Sequence, residues 1–166
     1  MQVLAPPSVC DIYPKCKVVE PMKKYQIGNF QIMPLSVEHN VECLAYIIDH
    51  KDMGRLIFAT DLVDFPYKIP NVSHILLEVN HSDDIILDNL VSGKDVRSQY
   101  ENHMSLDTAI SVLNRLKSSK LSKVVCCHLS ASNADENVIK ERIWRECGIR
   151  TLIAESGLNV CLDEEF

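Results

Sequence analysis

The sequence predicts a layered α/β domain, in which a β-sheet carries helices on at least one face. Three observations support this prediction. The first half of the chain holds several short β-prone runs, and the second half alternates helical patterns with apolar strands. The 166 residues suit one domain and suffice for a core of useful size. We therefore expect an irregular N-terminal segment over residues 1–24 and one folded domain over residues 25–166.

The first half is predicted to contribute four strands. They cover residues 30–35, 41–48, 55–60 and 74–79. A polar turn over residues 36–40 separates the first two strands, and a hairpin-like connection over 49–54 separates the second from the third. The N-terminal segment is weakly patterned and contains prolines, which interrupt regular structure.

The second half is predicted to contain three helices. Residues 82–84 can cap a short helix that runs to Leu90, and Ser105 can cap a longer one. The apolar residues of the longer helix follow helical spacing: Leu106, Ala109, Ile110, Leu113 and Leu116. The third helix is expected from Asp135 or Glu136 to Cys147, and Gly148 ends it.

Three further strands are predicted around the third helix. A buried-type strand over residues 123–127 precedes it, and two short strands over residues 151–154 and 158–162 follow it. Strands that alternate with helices in this way are typical of a sheet covered by helices.

Composition and charge argue against several classes of protein. The net charge of -6 gives no support for a nucleic-acid-binding module, which needs a basic face for the phosphates. No apolar run approaches the roughly 20 residues that span a bilayer. The N-terminus lacks the basic and apolar regions of a secretory signal. We therefore expect a cytoplasmic protein with no membrane partner.

The cysteines do not predict a metal or disulfide framework. There are seven, and no two of them form a C-x-x-C pair. We expect most of them to be reduced, buried, small hydrophobic residues rather than ligands of a structural zinc ion.

Three residues that suit a divalent cation follow predicted strands. His39 lies in the turn after the first strand, Asp61 directly follows residues 55–60, and His128 directly follows residues 123–127. Ligands at the ends of neighbouring strands converge, because those ends lie along one edge of the sheet. Imidazole nitrogen and carboxylate oxygen are good ligands for zinc or manganese. The pattern alone leaves a second interpretation open, in which the histidines are loop residues and Asp61 is a turn former or helix cap.

Five short motifs extend this pattern. They are Ser36-Val37-Glu38-His39-Asn40, Ala59-Thr60-Asp61, Leu77-Glu78-Val79-Asn80-His81, Asn102-His103-Met104-Ser105 and His128-Leu129-Ser130. Together, over about residues 25–162, they resemble the metallo-β-lactamase superfamily. The resemblance is nearest to its bacterial and phage branch with phosphodiesterase and nuclease members, and the tRNA-maturing endonuclease is a more distant relative. Each motif is weak by itself, but five in this order with similar spacing are specific.

The resemblance implies a fold and a set of site residues. The fold is the C-terminal half of an αββα sandwich, a mixed sheet with helices on one face. The site is a two-metal centre that holds zinc or manganese, in which His39, Asp61 and His128 match metal ligands and Asp61 bridges the ions. Glu78 and His103 match a pair that relays a proton in the tRNA-processing members, with Glu78 orienting His103.

The chain also departs from the family pattern. The first metal motif of the family, H-x-H-x-D-H, is absent from the 166 residues. Asn40 replaces the aspartate that usually follows the histidine at position 39, and Asn102 replaces the glycine before His103. We therefore expect an incomplete metal site in this chain.

Three functions remain open at this point. The first is a phosphodiester hydrolase, completed by a complementary N-terminal half on a partner chain or by a second copy of this chain. The second is an inactive remnant of such an enzyme. The third is a non-enzymatic interaction module that presents an apolar sheet face, because an intact sandwich would cover that face with a second sheet.

Overall fold

The N-terminal residues form a small parallel β-unit. The computed structural model describes residues 3–13 and 15–163. Strand β1 (Val3–Ala5), helix α1 (Pro7–Ile12) and strand β2 (Cys16–Val18) follow in order, and β1 pairs with β2 in parallel. The sequence predicts an irregular segment here, and the structure differs. Pro7 occupies the start of α1, where the fixed φ of proline favours a helix.

A seven-stranded sheet forms the centre of the domain, with its strands in chain order. The strands are β3 (Tyr25–Ile27), β4 (Phe30–Val37), β5 (Cys43–His50), β6 (Gly54–Ala59), β7 (His74–Glu78), β8 (Lys123–Cys127) and β9 (Thr151–Ile153). Neighbours from β3 to β6 are antiparallel, and neighbours from β6 to β9 are parallel. The sheet is therefore mixed, as predicted.

Helices connect most of the parallel strands. Between β7 and β8 lie α2 (Asp83–Val91), α3 (Arg97–Asn102) and α4 (Leu106–Leu116), and between β8 and β9 lies α5 (Glu136–Cys147). Parallel neighbours need such crossover connections, because the chain must return to the same edge of the sheet. Within residues 3–13 and 15–163 there is no helix of the length and apolar character needed to cross a membrane.

The predicted helix ends at Ser105 and Gly148 are present. The Ser105 side chain accepts a hydrogen bond from the Thr108 N–H at 3.2 Å, which caps α4. Gly148 ends α5 with φ +67, in the left-handed region that glycine adopts most easily.

The core lies between one face of the sheet and helices α4 and α5. The helices bury Leu106, Ala109, Ile110, Val112, Leu113 and Leu116 from α4, and Ile139, Ile143 and Cys147 from α5. The sheet contributes Ile57, Ile75, Leu77, Val124 and Cys126 to the same cluster. The prediction of helices on one face of the sheet is thereby confirmed.

The cysteines only partly match their prediction. All seven are free, but only Cys126, Cys127 and Cys147 are buried. The expectation that most are buried is wrong, because the other four lie outside the core cluster, and Cys161 is exposed.

The other face of the sheet is apolar and partly accessible. Strand residues alternate between faces, so Ile57 is fully buried, whereas its neighbour Phe58 is 37% exposed. We call this second surface the open face. It is formed by Tyr46, Ile48, Leu56, Phe58, Leu76, Val125 and Leu152, which the strand register places side by side.

Two grooves follow the open face. One, of about 370 Å³, lies beside the N-terminal Leu4 and Val19. The other, of about 270 Å³, is lined on one side by Leu158, Val160 and Leu162. The predicted strand over residues 158–162 is wrong, because this segment has no regular structure and instead places its apolar side chains along the groove.

Candidate metal centre

The carboxyl ends of three parallel strands meet at one edge of the sheet. Strand β6 ends two residues before Asp61, β7 ends at Glu78, and β8 ends directly before His128. Glu78 is level with Cys127 in the register of β7 and β8. The residues that follow these strands therefore lie close together.

Asp61, His103 and His128 form a group of potential metal ligands, which we call the donor triad. One nitrogen or oxygen atom of each residue lies within 4.8 Å of the others. The His128 Nδ1 atom is 3.6 Å from Asp61 Oδ1. Two ligands of a tetrahedral zinc ion lie about 3.4 Å apart, given bonds of about 2.1 Å. Among the described residues, no other three His, Cys, Asp or Glu side chains come this close.

The donor triad fits one divalent cation. Two imidazole nitrogens and one carboxylate oxygen suit zinc or manganese, and a catalytic zinc ion normally has three protein ligands. A second ion would need further donors. The number of donors therefore supports a partial centre rather than a complete two-metal site.

Asp61 and His128 share an uncommon backbone conformation. Their φ angles are +57° and +58°, in a region that costs residues other than glycine about 1–2 kcal/mol. Two hydrogen bonds fix these turns: the Leu62 N–H donates to Glu78 Oε2, and Asn80 Nδ2 donates to the His128 carbonyl, both at 2.9 Å. Strained residues of this kind persist where the surrounding structure holds them, and they cluster at functional sites.

Glu78 is fully buried at the centre of the site. Its Oε1 atom accepts a hydrogen bond of 2.6 Å from His103 Nδ1, and it also lies 3.2 Å from His128 Nδ1. Burial raises the pKa of Glu78 from 4.5 to about 7, against the opposing effects of the Leu62 N–H and of His128. Glu78 is therefore not a solvent-exposed carboxylate at a sheet edge.

His103 joins the site from the loop between α3 and α4. Its pKa is lowered by burial and by the nearby His39, although Asp61 opposes this effect. At neutral pH the ring is therefore uncharged. Because its Nδ1–H donates to Glu78, its Nε2 atom carries the lone pair, which can bind a cation or accept a proton.

His39 lies beside the donor triad but is not part of it. Its Nδ1 atom is 2.8 Å from the Asn102 carbonyl, and its ring centroid is 5.1 Å from that of His103. A carbonyl partner at Nδ1 fixes the tautomer and leaves Nε2 free for a metal ion. The sequence predicts His39 as a ligand together with Asp61 and His128, and the structure places its ring beside that of His103, outside the donor triad.

The other histidines are not members of the donor triad. His50 ends β5 and His74 begins β7, at the opposite end of the sheet. His81 is buried, and its Nε2 atom is 3.6 Å from Asp83 Oδ1. Burial is the main cause that lowers the pKa of His81, and His103 adds to this effect.

Sequence comparisons identify no relative. No protein-family model matches the chain, and no curated protein matches its sequence. Similarity is found only among solved structures.

Three solved structures illustrate the similarity. The metallo-beta-lactamase fold protein YhfI from Bacillus subtilis matches 95% of this chain with a TM-score of 0.72 and 16% identity. Unliganded yeast PDE1 matches 90% with a TM-score of 0.59 and 15% identity. CmlA from Streptomyces venezuelae, a diiron beta-hydroxylase, matches 92% with a TM-score of 0.59 and 11% identity.

The chain is shorter than these proteins. It spans 63% of YhfI, 52% of PDE1 and 38% of CmlA. At these identities the comparisons show the fold. The mixed sheet, the helices on one face and the match to YhfI agree with the motif resemblance. This chain therefore has the metallo-β-lactamase fold.

Proposed function

We propose that this chain carries part of the active site of a metal-dependent hydrolase that acts on phosphodiesters. The observation that carries the proposal is the donor triad, one member of which, His103, is hydrogen-bonded to the buried Glu78. A cation site next to a proton-transferring pair is the arrangement that metal-assisted hydrolysis needs. The substrate class rests on the motif resemblance.

Asp61 and His128 are the proposed metal ligands in the donor triad, with His39 as the third through its Nε2 atom. A bound cation would supply Lewis acidity toward a phosphoryl oxygen. Asp61 contributes the negative charge that compensates the cation. The buried hydrogen bonds at Leu62 and Asn80 keep the two strand-end turns in place.

His103 is the proposed general acid. Glu78 accepts the Nδ1–H of His103 and so orients the ring, which leaves Nε2 to take a proton from the attacking water and pass it to the leaving oxygen. The pKa of Glu78 is about 7, which places its proton exchange near neutral pH.

The centre as described has too few ligands for two ions. His39, Asp61 and His128 would give each of two ions about two protein ligands, below the usual three. We propose that a polypeptide with an H-x-H-x-D-H motif, or a second copy of this chain, supplies the remaining ligands. For the chain alone we expect weak zinc binding and little or no hydrolysis.

The first test measures zinc binding and turnover of a chromogenic phosphodiester by the purified chain. We expect weak zinc binding that falls about tenfold or more in Asp61→Ala and His128→Ala, and background turnover. Turnover should appear when a polypeptide carrying H-x-H-x-D-H is added. Equal zinc affinity in the wild type and both variants would contradict the site. Robust turnover by the chain alone would show that the ligands are undercounted.

Two further variants separate the roles of His39 and His103. His39→Ala should weaken zinc binding, whereas His103→Ala should leave binding within about threefold and reduce turnover of the completed enzyme by about 10²-fold or more. If His103→Ala weakened zinc binding and His39→Ala did not, the third ligand would be His103 instead of His39.

A second candidate function is a non-enzymatic interaction module. The apolar open face favours it, with Phe58 37% and Leu152 43% exposed. This candidate would stand if the chain bound no zinc and a partner polypeptide bound at the open face without producing turnover.

A further inference from the structure

Asn80 connects three segments of the site. It lies just after β7 and is 5% exposed. Its backbone N–H donates to the Met104 carbonyl at 2.9 Å, and its backbone carbonyl accepts from the Ser130 N–H at 2.8 Å. Its side-chain Nδ2 donates to the His128 carbonyl at 2.9 Å. Asn80 therefore joins the end of β7 to the residue after His103 and to the loop that carries His128.

The side-chain hydrogen bond acts at a strained position. His128 has φ +58, a conformation that reverts to a lower-energy one unless neighbouring groups hold it. A neutral amide donor on the His128 carbonyl fixes the peptide plane and therefore the direction of the imidazole. A shift of this turn would move the ring relative to Asp61 Oδ1, which is 3.6 Å away.

The free-energy cost of burying the Asn80 side chain also indicates a role other than stability. Its Oδ1 atom is buried without a partner in the protein. A buried acceptor without a hydrogen bond costs about 1–3 kcal/mol. An apolar side chain of similar size would avoid this cost, so the amide is best explained by the hydrogen bond that it donates to the His128 carbonyl.

We infer that Asn80 is a positioning residue, which holds the left-handed turn of His128 and thereby sets the geometry of the metal centre. The inference rests on the proposed metal-dependent function. It assigns Asn80 no contact with substrate or metal. Its action passes through the backbone of His128.

The test compares Asn80→Ala and Asn80→Leu with Asn89→Ala. Leu is nearly isosteric with Asn but has no donor. Asn89 is the matched control, because it is also buried and its Nδ2 donates to the Ser132 carbonyl of the same loop at 2.8 Å, without contacting His128. Three quantities are measured for each protein: the melting temperature, the zinc affinity, and the three-bond coupling between Hα of His128 and the carbonyl carbon of Cys127 without metal, which is large only when φ of His128 is positive.

Both Asn80 variants should change the His128 coupling and weaken zinc binding about tenfold or more, and Asn80→Leu should do so with little loss of melting temperature. Asn89→Ala should lower the melting temperature but leave the coupling and the affinity within about twofold. An unchanged His128 coupling in both Asn80 variants would overturn the inference, as would an equal loss of affinity in Asn89→Ala. A wild type that binds no zinc would refute the proposed function instead, and the metal-free coupling would still decide the role of Asn80.

Discussion

Individual residues of the site differ in how far the sequence predicts them. Asp61 and His128 follow strands that are recognisable as apolar runs, so their meeting at one sheet edge could be expected. Glu78 could be expected to have a partner, because a carboxylate within an apolar strand is costly to bury alone. The membership of His103 in the donor triad could not be predicted, since it depends on how the loop between α3 and α4 returns to the sheet.

Asn80 shows the same limit more clearly. Asparagine after a strand is common in turns, and nothing in its local sequence indicates a hydrogen bond to the carbonyl of a residue on another strand end. Long-range polar contacts of this kind arise from the register of β7 and β8. They are therefore visible only once the sheet is assembled.

Glu78→Gln should remove a pH dependence of stability. The pKa of Glu78 rises to about 7 in the folded protein from 4.5, so between these values the folded chain keeps a proton that the unfolded chain has lost. The Glu78 contribution to the free energy of unfolding is thus fully present below pH 4.5 and is lost as the pH rises through about 7. The full loss is on the order of 3 kcal/mol.

The measurement is urea unfolding of metal-free protein at several pH values. The free energy of unfolding of the wild type, relative to Glu78→Gln, should fall from pH 4.5 to above pH 7. Glu141→Gln is the control, because Glu141 is exposed on α5. The assigned pKa of Glu78 would be contradicted if the free energy of unfolding of the wild type, relative to Glu78→Gln, stayed constant with pH or rose with it.

At the scale of elements, the strength of the apolar pattern decides what the sequence predicts. The strands of the sheet from β4 to β8 lie within two residues of their predicted bounds, α4 begins at its predicted cap, and α5 begins and ends at its predicted caps. The elements β1, α1, β2, β3 and α3 are missed, because their residues are largely polar or adjoin prolines, so no apolar pattern marks them. The segment 158–162 has the apolar character of a strand, but it packs along a groove of the open face instead.

Ser105→Ala should weaken α4 at its first turn. The lost hydrogen bond from the Thr108 N–H leaves a helix-end donor without its cap, which costs about 1 kcal/mol. The variant should unfold at lower urea concentration with an unchanged slope. Ser111→Ala on the exposed side of the same helix is the control and should be neutral or slightly stabilising, since alanine has the higher helix propensity. Equal losses in both variants would contradict the capping role.

The two faces of the sheet give the whole molecule an asymmetric architecture. One face is sealed by α4 and α5, while the open face keeps large apolar side chains accessible. The candidate metal centre lies at an edge shared by both faces, since Asp61 and His128 follow the internal strands β6 and β8. A polypeptide that covered the open face could therefore also reach the candidate metal centre.

The open face should drive association of the chain, because burial of apolar surface stabilises a complex by about 25 cal/mol per Å². In sedimentation velocity experiments at increasing concentration, the wild type should exceed its monomer mass of 18.8 kDa. Phe58→Thr should shift the equilibrium toward monomer, since it removes an aromatic ring at the centre of the open face and keeps a side chain that suits a strand.

Leu90→Thr is the matched control, because Leu90 is 58% exposed but lies on α2. A wild type that stays monomeric at all concentrations, or equal effects of both substitutions, would show that the open face is not the associating surface.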